Sequence, residues 1–133
     1  MNKKEIAQLK NVILEYNRKP ELSPAFDKLL DGYIKDGKYM SIEKLQVLRN
    51  DIIQQLVSYA NTYKISNVCV GISGGIDSAL TAALFKNAGW NVTGLTLPIH
   101  QNTEETDRGI EACESLGINH LQVDLTQAFE SYL

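Results

Sequence analysis

The chain has 133 residues, which is enough for one domain with a substantial core and short for two. A hydrophobic share of 44% beside 22% charged residues is typical of a globular protein, so neither a disordered chain nor a membrane span is indicated. The formal net charge of −3 gives no basic surface, which speaks against nucleic acid or an acidic membrane as a partner.

The two cysteines, Cys69 and Cys113, form neither a disulfide framework nor a zinc-ligand spacing. We interpret them as packed thiols of a reducing cytosol. The basic start of the chain is followed by a segment that polar residues interrupt, so no signal peptide is expected. A cytoplasmic protein is predicted.

The first 63 residues predict three helices. Asn2, with Glu5 three residues later, caps a helix over residues 2–18. Ser23 followed by proline opens a short helix that ends near Leu30, before a loop with two Asp-Gly pairs. Ser41 caps a longer helix to residue 63, with one apolar face that packs against a sheet. Residues 1–40 are therefore predicted as a separate helical segment.

The remainder alternates between strands and helices. The predicted elements are a strand at 68–70 that is buried on both faces, a helix from Asp77 to Gly89, a strand at 92–97, a helix from Asn102 to Gly117, a strand at 121–125 and a helix from Thr126. This β-α-β-α-β order predicts an α/β fold with a parallel, Rossmann-like sheet and helices on both faces. Ligands of such sheets bind at the carboxyl ends of the strands.

Residues 71–78 join the first of these strands to its helix through a glycine turn. Strand, glycine turn and helix N-terminus together place several unpaired backbone N–H groups around one point, where a phosphate is stabilised. Ser73 and Ser78 add hydroxyl groups, and Asp77 adds a carboxylate. Because a carboxylate repels phosphate unless a cation lies between them, Asp77 indicates Mg²⁺. The Walker pattern with its lysine is absent from the sequence.

Two alternatives use the same residues. Gly71 to Gly75 also match Gly-x-Ser-x-Gly, the nucleophile elbow of α/β hydrolases, and Asp107 and His120 follow in the order of a triad. Their spacing does not support that triad, and the elbow leaves Asp77 unexplained. The second alternative is a glycine turn that binds no ligand.

The hexapeptide from Ser73 to Ser78 resembles the pyrophosphate loop of the ATP-pyrophosphatase, or PP-loop, superfamily, whose fold is called adenine nucleotide alpha hydrolase-like. Within it, the strand that ends in Leu97-Pro98, the polar and acidic segment 99–107 and Val123 to Thr126 are similar to NAD synthetase of the ammonia-dependent type. The resemblance covers residues 41–133, which would be the N-terminal part of a PP-loop ATP-binding domain.

The resemblance implies a ligase that uses ATP and Mg²⁺ to amidate nicotinic acid adenine dinucleotide with ammonia, releasing AMP and pyrophosphate. Ser73, Gly74, Gly75 and Ser78 would donate to phosphate, and Asp77 would bind Mg²⁺. The end of the second strand, Thr96-Leu97-Pro98, would border the adenine. No side chain is expected to act as a covalent nucleophile. The ATP-binding residues implied are Gly71, Ile72, Ser73, Gly74, Gly75, Ile76, Asp77, Ser78 and Leu97.

Members of the family continue beyond this stretch, so the resemblance implies an incomplete domain that is inactive as an isolated chain, within an enzyme that forms a homodimer. Two other functions stay open. One is a catalytically silent nucleotide-binding or assembly module. The other is a different PP-loop enzyme, such as a GMP synthetase or a tRNA-modifying enzyme.

Overall fold

The computed structural model describes residues 1–18, 20–100 and 102–133. The elements in chain order are α1 (Lys3–Asn17), α2 (Pro24–Lys35), α3 (Ile42–Tyr63), β1 (Asn67–Gly71), α4 (Ile76–Asn87), β2 (Asn91–Thr96), α5 (Thr103–Leu116), β3 (Asn119–Gln122) and α6 (Thr126–Glu130). They form two compact units, Met1–Leu48 and Arg49–Leu133. No helix in these described ranges is both long and apolar enough to cross a membrane.

The first unit contains α1, α2 and the first residues of α3. The predicted capping box is present, since Glu5 N donates to Asn2 Oδ1 and Asn2 N donates to Glu5 Oε2. Lys10 Nζ joins α1 to α2 through the carboxylates of Asp27 and Asp31, at 2.7 and 2.8 Å. The hydrogen bonds from Lys10 to Asp27 and, to a lesser extent, to Asp31 raise the pKa of the lysine.

Helix α2 is longer than predicted. The Asp31-Gly32 pair was expected to begin a loop, but the helix continues through it to Lys35. Leu30 is buried and Ile34, one turn later, is half-buried, so packing of this face compensates for the cost of about 1 kcal/mol for a glycine inside a helix. The helix ends where Gly37 takes a left-handed φ of +70°.

The second unit is built on a three-stranded parallel sheet in the order β1-β2-β3. Val68 pairs with Val92 in the first ladder, and Leu95 pairs with Leu121 in the second. Helices α4 and α5, the two crossovers, contact the strands that they connect. The predicted α/β fold with a parallel sheet and β-α-β-α-β order is confirmed.

The third strand lies earlier in the chain than predicted. The ladder of β3 ends at Gln122, whereas the sequence predicted a strand to Leu125. Backbone contact with β2 continues, since Val123 N donates to Thr96 O and Leu125 N to Pro98 O. Asp124 ends the strand because its carboxylate accepts the N–H of Thr126 at 2.8 Å, which turns the chain into α6.

The core lies on one face of the sheet. Its buried side chains come from the β1–α4 connection, α4, β2, α5 and the segment before β2, and they are Ile72, Ala82, Trp90, Val92 and Cys113. Helix α3 meets this core through Ala60 and through Leu56 O, which accepts the indole N–H of Trp90 at 3.2 Å. Trp90 is therefore a packing residue.

Strand β1 is buried on one face only, which corrects the prediction for this strand. Val68 and Val70 pack against the core, but Cys69 between them is exposed, so it is not the packed thiol that the sequence suggested. On β3 and just after it, Leu121 and Val123 are 52% and 41% exposed. The run of apolar residues in β1 indicated two covered faces. Within the described residues its second face is open.

Candidate functional site

The glycine loop follows β1 directly and makes a turn that only glycine tolerates. Ile72 N donates to Leu95 O at 2.8 Å, so the chain leaves the sheet after this residue. Gly74 then takes a φ of +79°. A Cβ on Gly74 would lie 2.9 Å from the carbonyl oxygen of Glu105 and 3.3 Å from the Cβ of Arg108. Gly74 is therefore needed for its backbone conformation and for the close approach of α5.

The two serine hydroxyls of the loop bond to each other and to the loop backbone. Ser78 Oγ accepts the N–H of Ser73 at 3.2 Å, lies 3.3 Å from Ser73 Oγ and donates to Gly75 O. Ser73 Oγ in turn accepts the N–H of Gly75 at 3.3 Å. The sequence predicted both hydroxyls as donors to a ligand, and the structure shows that they also fix the shape of the loop.

The N-terminus of α4 faces this loop without a side-chain cap. Gly75 is the N-cap residue, and no side chain in the described ranges bonds to the first turn in the manner of a cap. The backbone N–H groups of Ile76, Asp77 and Ser78 are therefore the orphan donors of a helix start, where the helix dipole favours an anion. Ile76 is 79% exposed, whereas the side chain of Ile72 lies in the core. Ile72 can meet a ligand only through its backbone.

Asp77 lies in the first turn of α4 with an exposed side chain. Within residues 1–18, 20–100 and 102–133, no group of three or more acidic, histidine or cysteine side chains could hold a metal ion alone. One carboxylate still fits Mg²⁺, because this ion binds through one or two carboxylates together with phosphate oxygens and water. Asp77, next to the unpaired backbone N–H groups at the start of α4, is a carboxylate of that kind.

Leu97 and Thr96, at the end of β2, differ in their exposure to solvent. Leu97 is 44% exposed just beyond the strand. Thr96 is 3% exposed, and its Oγ1 lies 3.0 Å from Nε2 of His120 on β3. Of the two, only Leu97 is available to a ligand at the carboxyl edge of the sheet.

A polar cleft of about 290 Å³ lies beyond the ends of β2 and β3. His100 N donates to Thr126 Oγ1 at 3.1 Å, and His100 Nε2 lies 3.1 Å from Glu130 Oε1, so α6 is tied to the segment after β2. The N–H and hydroxyl of Thr126 lower the pKa of Asp124 in the cleft wall. The lining residues are Pro98, His100, Thr103, Thr106, Asp107, Ile110, Gln122, Asp124 and Thr126.

The hydrolase alternative loses its support in the structure. Ser73 Oγ contacts Ser78, and His120 Nε2 contacts Thr96. The histidine that the triad would need is engaged on the far strand with a buried threonine rather than with the nucleophile. The residues that the structure does bring together are those of the phosphate-binding interpretation, from Gly71 to Ser78.

Sequence reasoning missed the contacts of α5 with the sheet and with the loop. Gly94 on β2 leaves room for Cys113, and Gly109 on α5 leaves room for Thr96 and for the backbone of Ile72. The signals in the sequence were a glycine inside a strand and a glycine inside a helix. Glycine weakens both kinds of element, and at such a position it often marks the close approach of another backbone or side chain.

Comparison with known proteins gives the family. The family model of NAD synthase matches residues 48–133. The NH(3)-dependent NAD(+) synthetase of Alkaliphilus oremlandii is 34% identical over 84 residues, covering 62% of this chain and 34% of that protein. The tRNA-specific 2-thiouridylase MnmA of Prochlorococcus marinus is 45% identical over 104 residues, covering 72% of this chain and 25% of that protein.

Solved structures agree in fold. An NMN synthetase from Francisella tularensis aligns at 29% identity with a TM-score of 0.55, over 63% of this chain and 37% of that one. An NH3-dependent NAD synthetase from Campylobacter jejuni aligns at 24% identity with a TM-score of 0.60, over 65% and 39%. The chain thus spans between a quarter and two-fifths of these proteins. The resemblance to NAD synthetase, inferred from the loop together with the ends of the second and third strands, is confirmed, and the chain belongs to the NAD synthase family.

Proposed function

We propose that residues 71–78 bind the phosphates of ATP, and that the chain is the ATP-binding part of an enzyme that amidates nicotinic acid adenine dinucleotide with ammonia, releasing AMP and pyrophosphate. The observation that supports this most directly is the uncapped start of α4 behind the Gly74 turn, in a chain of the NAD synthase family. The helix start offers backbone N–H groups to the anion, and backbone donors suit a group whose charge increases as pyrophosphate leaves.

The proposed roles follow from the geometry. The backbone N–H groups of Ile76, Asp77 and Ser78 would donate to the phosphates. The serine pair holds the shape of the loop, and Leu97 would border the base. Asp77 would hold Mg²⁺, which neutralises charge on the phosphates when it is bound. Because Gly74 has no Cβ, α5 can lie close to the loop. For the whole enzyme we further propose a homodimer that binds nicotinic acid adenine dinucleotide and uses ammonia.

Two substitutions test the loop by titration calorimetry with ATP, in the presence and absence of Mg²⁺. Gly75 has an extended backbone, and a Cβ there would lie 3.4 Å from Ser73 Oγ, so Gly75→Val keeps the backbone conformation and fills the space before α4. ATP binding should be lost. Asp77→Ala should weaken binding about tenfold or more with Mg²⁺, equal to about 1.4 kcal/mol, and have little effect without it.

Asp51→Ala on α3 removes an exposed carboxylate elsewhere in the same unit and serves as the control. Its affinity for ATP should equal that of the wild-type chain. Unchanged ATP affinity in the Gly75 and Asp77 variants, with unchanged circular dichroism, would refute the proposal. Labelling of Ser73 by a fluorophosphonate probe would instead support the hydrolase interpretation.

A second candidate function has one observation in its favour. A tRNA-specific 2-thiouridylase is 45% identical over 104 residues, more than the NAD synthetase over 84. Both would use the same loop for ATP, so the acceptor distinguishes them. The family model that matches residues 48–133 is that of NAD synthase, which favours the dinucleotide. In the enzyme that contains this chain, formation of AMP should require nicotinic acid adenine dinucleotide and ammonia. AMP formation that requires tRNA would decide for the alternative.

A further inference from the structure

Arg108 emerges from α5 beside the glycine loop. The Cβ of this arginine lies 3.3 Å from the position that a Cβ on Gly74 would occupy, and the carbonyl oxygen of Glu105, one turn earlier, lies 2.9 Å from it. The helix therefore presses against the turn just before the start of α4. An arginine at this point begins its side chain next to the backbone donors of the loop.

Arg108 is a single positive charge among several carboxylates at the start of α5. Glu104 and Glu105 lie in the first turn of α5, and Asp107 precedes the arginine, so this part of the surface is acidic. An anion that approaches the loop would meet these carboxylates. Arg108 is exposed, and no ion pair joins it to a carboxylate in the part of the chain that the structure describes. A pair with Glu104, four residues earlier, would stabilise the helix by only about 0.2–0.5 kcal/mol.

We propose that Arg108 binds a phosphate group of the ligand held by the glycine loop and offsets the acidic start of α5. This inference rests on the proposed function, because it needs a phosphate at the loop. A guanidinium group presents planar pairs of N–H donors that match phosphate oxygens, and its contacts with phosphate are charge-assisted. Backbone donors on α4 would hold the anion from one side and Arg108 from the side of α5. Arg108 is then a binding residue for phosphate, added to the donors of the loop.

The test measures affinity for inorganic pyrophosphate with Mg²⁺ and for ATP with Mg²⁺, by titration calorimetry on the chain. Arg108→Gln should weaken both about tenfold or more, the effect of losing one hydrogen-bonded charge contact. Arg108→Lys should weaken them less, because it keeps the charge without the fork. Raising the salt concentration should reduce the difference between Arg108→Gln and the wild-type chain, since part of the contact is electrostatic.

Three controls separate the outcomes. Arg49→Gln removes an exposed arginine of α3 whose guanidinium donates to its neighbour Asn50, and this variant should bind both probes as the wild type does. Glu104→Gln should keep or raise affinity; a loss equal to that of Arg108→Gln would show that the arginine acts through a helix pair and would overturn the inference. Wild-type affinity in Arg108→Gln, while Gly75→Val fails to bind, would overturn the inference and leave the function of the loop intact. Failure of the wild-type chain to bind either probe would overturn both.

Discussion

Gly74→Ala is the most informative single substitution in the loop, because the structure predicts two separate costs. The first is backbone strain: an alanine at a φ of +79° costs about 1–2 kcal/mol. The second is steric. The new Cβ would lie 2.9 Å from Glu105 O and 3.3 Å from Arg108 Cβ, so α5 or the loop must move, at a cost of about 1–3 kcal/mol. Together they predict a loss of about 2–5 kcal/mol in the free energy of unfolding.

Two other glycines of the same unit separate these costs. Gly89 has a φ of +83° and nothing within 4 Å of a built Cβ, so Gly89→Ala should lose only the backbone term of about 1–2 kcal/mol. Gly71 also has open space and no positive φ, so Gly71→Ala should change stability little. Urea unfolding followed by far-ultraviolet circular dichroism gives all three values. The Gly74 variant should also lose affinity for pyrophosphate.

The difference between Gly74→Ala and Gly89→Ala measures the contact of α5 with the loop. A difference of about 1–3 kcal/mol would support the contact from which Arg108 was argued. Equal losses in the two variants would refute it, because strain alone would then account for Gly74. In that case α5 would stand away from the loop.

The remaining predictions concern the core and two titratable groups. Gly94→Ala should lower the free energy of unfolding by about 1–3 kcal/mol, because its Cβ would overlap the sulfur of Cys113. In the double variant, Cys113→Ala should relieve part of that loss, and strictly additive losses would contradict the contact. An aromatic disulfide reagent should modify Cys69 rapidly and Cys113 only after unfolding, since Cys113 is buried and burial raises the pKa of its thiol; equal rates would show that the core is open. Hydrogen bonds from Thr126 lower the pKa of Asp124 in the folded chain, so their contribution is present above the unfolded pKa and is lost as the pH falls through the folded one. Urea midpoints of wild type and Asp124→Ala should therefore converge in acid, and a constant gap would refute the role of the charge.

The features that could be predicted from the sequence are those that depend on residues close together in the chain. The caps at Asn2, Ser23 and Ser41 are all present, since each depends on a side chain and an N–H group within three residues. The glycine loop was predictable for the same reason. Its turn and its helix start lie within eight consecutive residues, from Gly71 to Ser78.

What the sequence could not predict depends on contacts between distant segments. Helix α2 continues past Gly32 because Leu30 and Ile34 pack, and propensity does not report packing. The bond between Thr96 and His120 joins residues on two strands, and the approach of Arg108 to the loop joins α5 to a turn some thirty residues earlier. The last two contacts required the register of the parallel sheet and the placement of α5 on it.

The open side of the sheet leads to a prediction about association. Strand β1 pairs only with β2 among the described residues, and Cys69, Leu121 and Val123 expose a second, partly apolar face. Parallel sheets are ordinarily covered on both faces, and an unpaired edge with apolar neighbours favours pairing with another strand. We therefore expect the chain to self-associate at micromolar concentration, and Cys69→Lys to reduce this association, since a charge on an edge strand opposes pairing. Size-exclusion chromatography with light scattering measures both. A chain that stays monomeric at this concentration would show that neither the open edge nor the open face needs a partner.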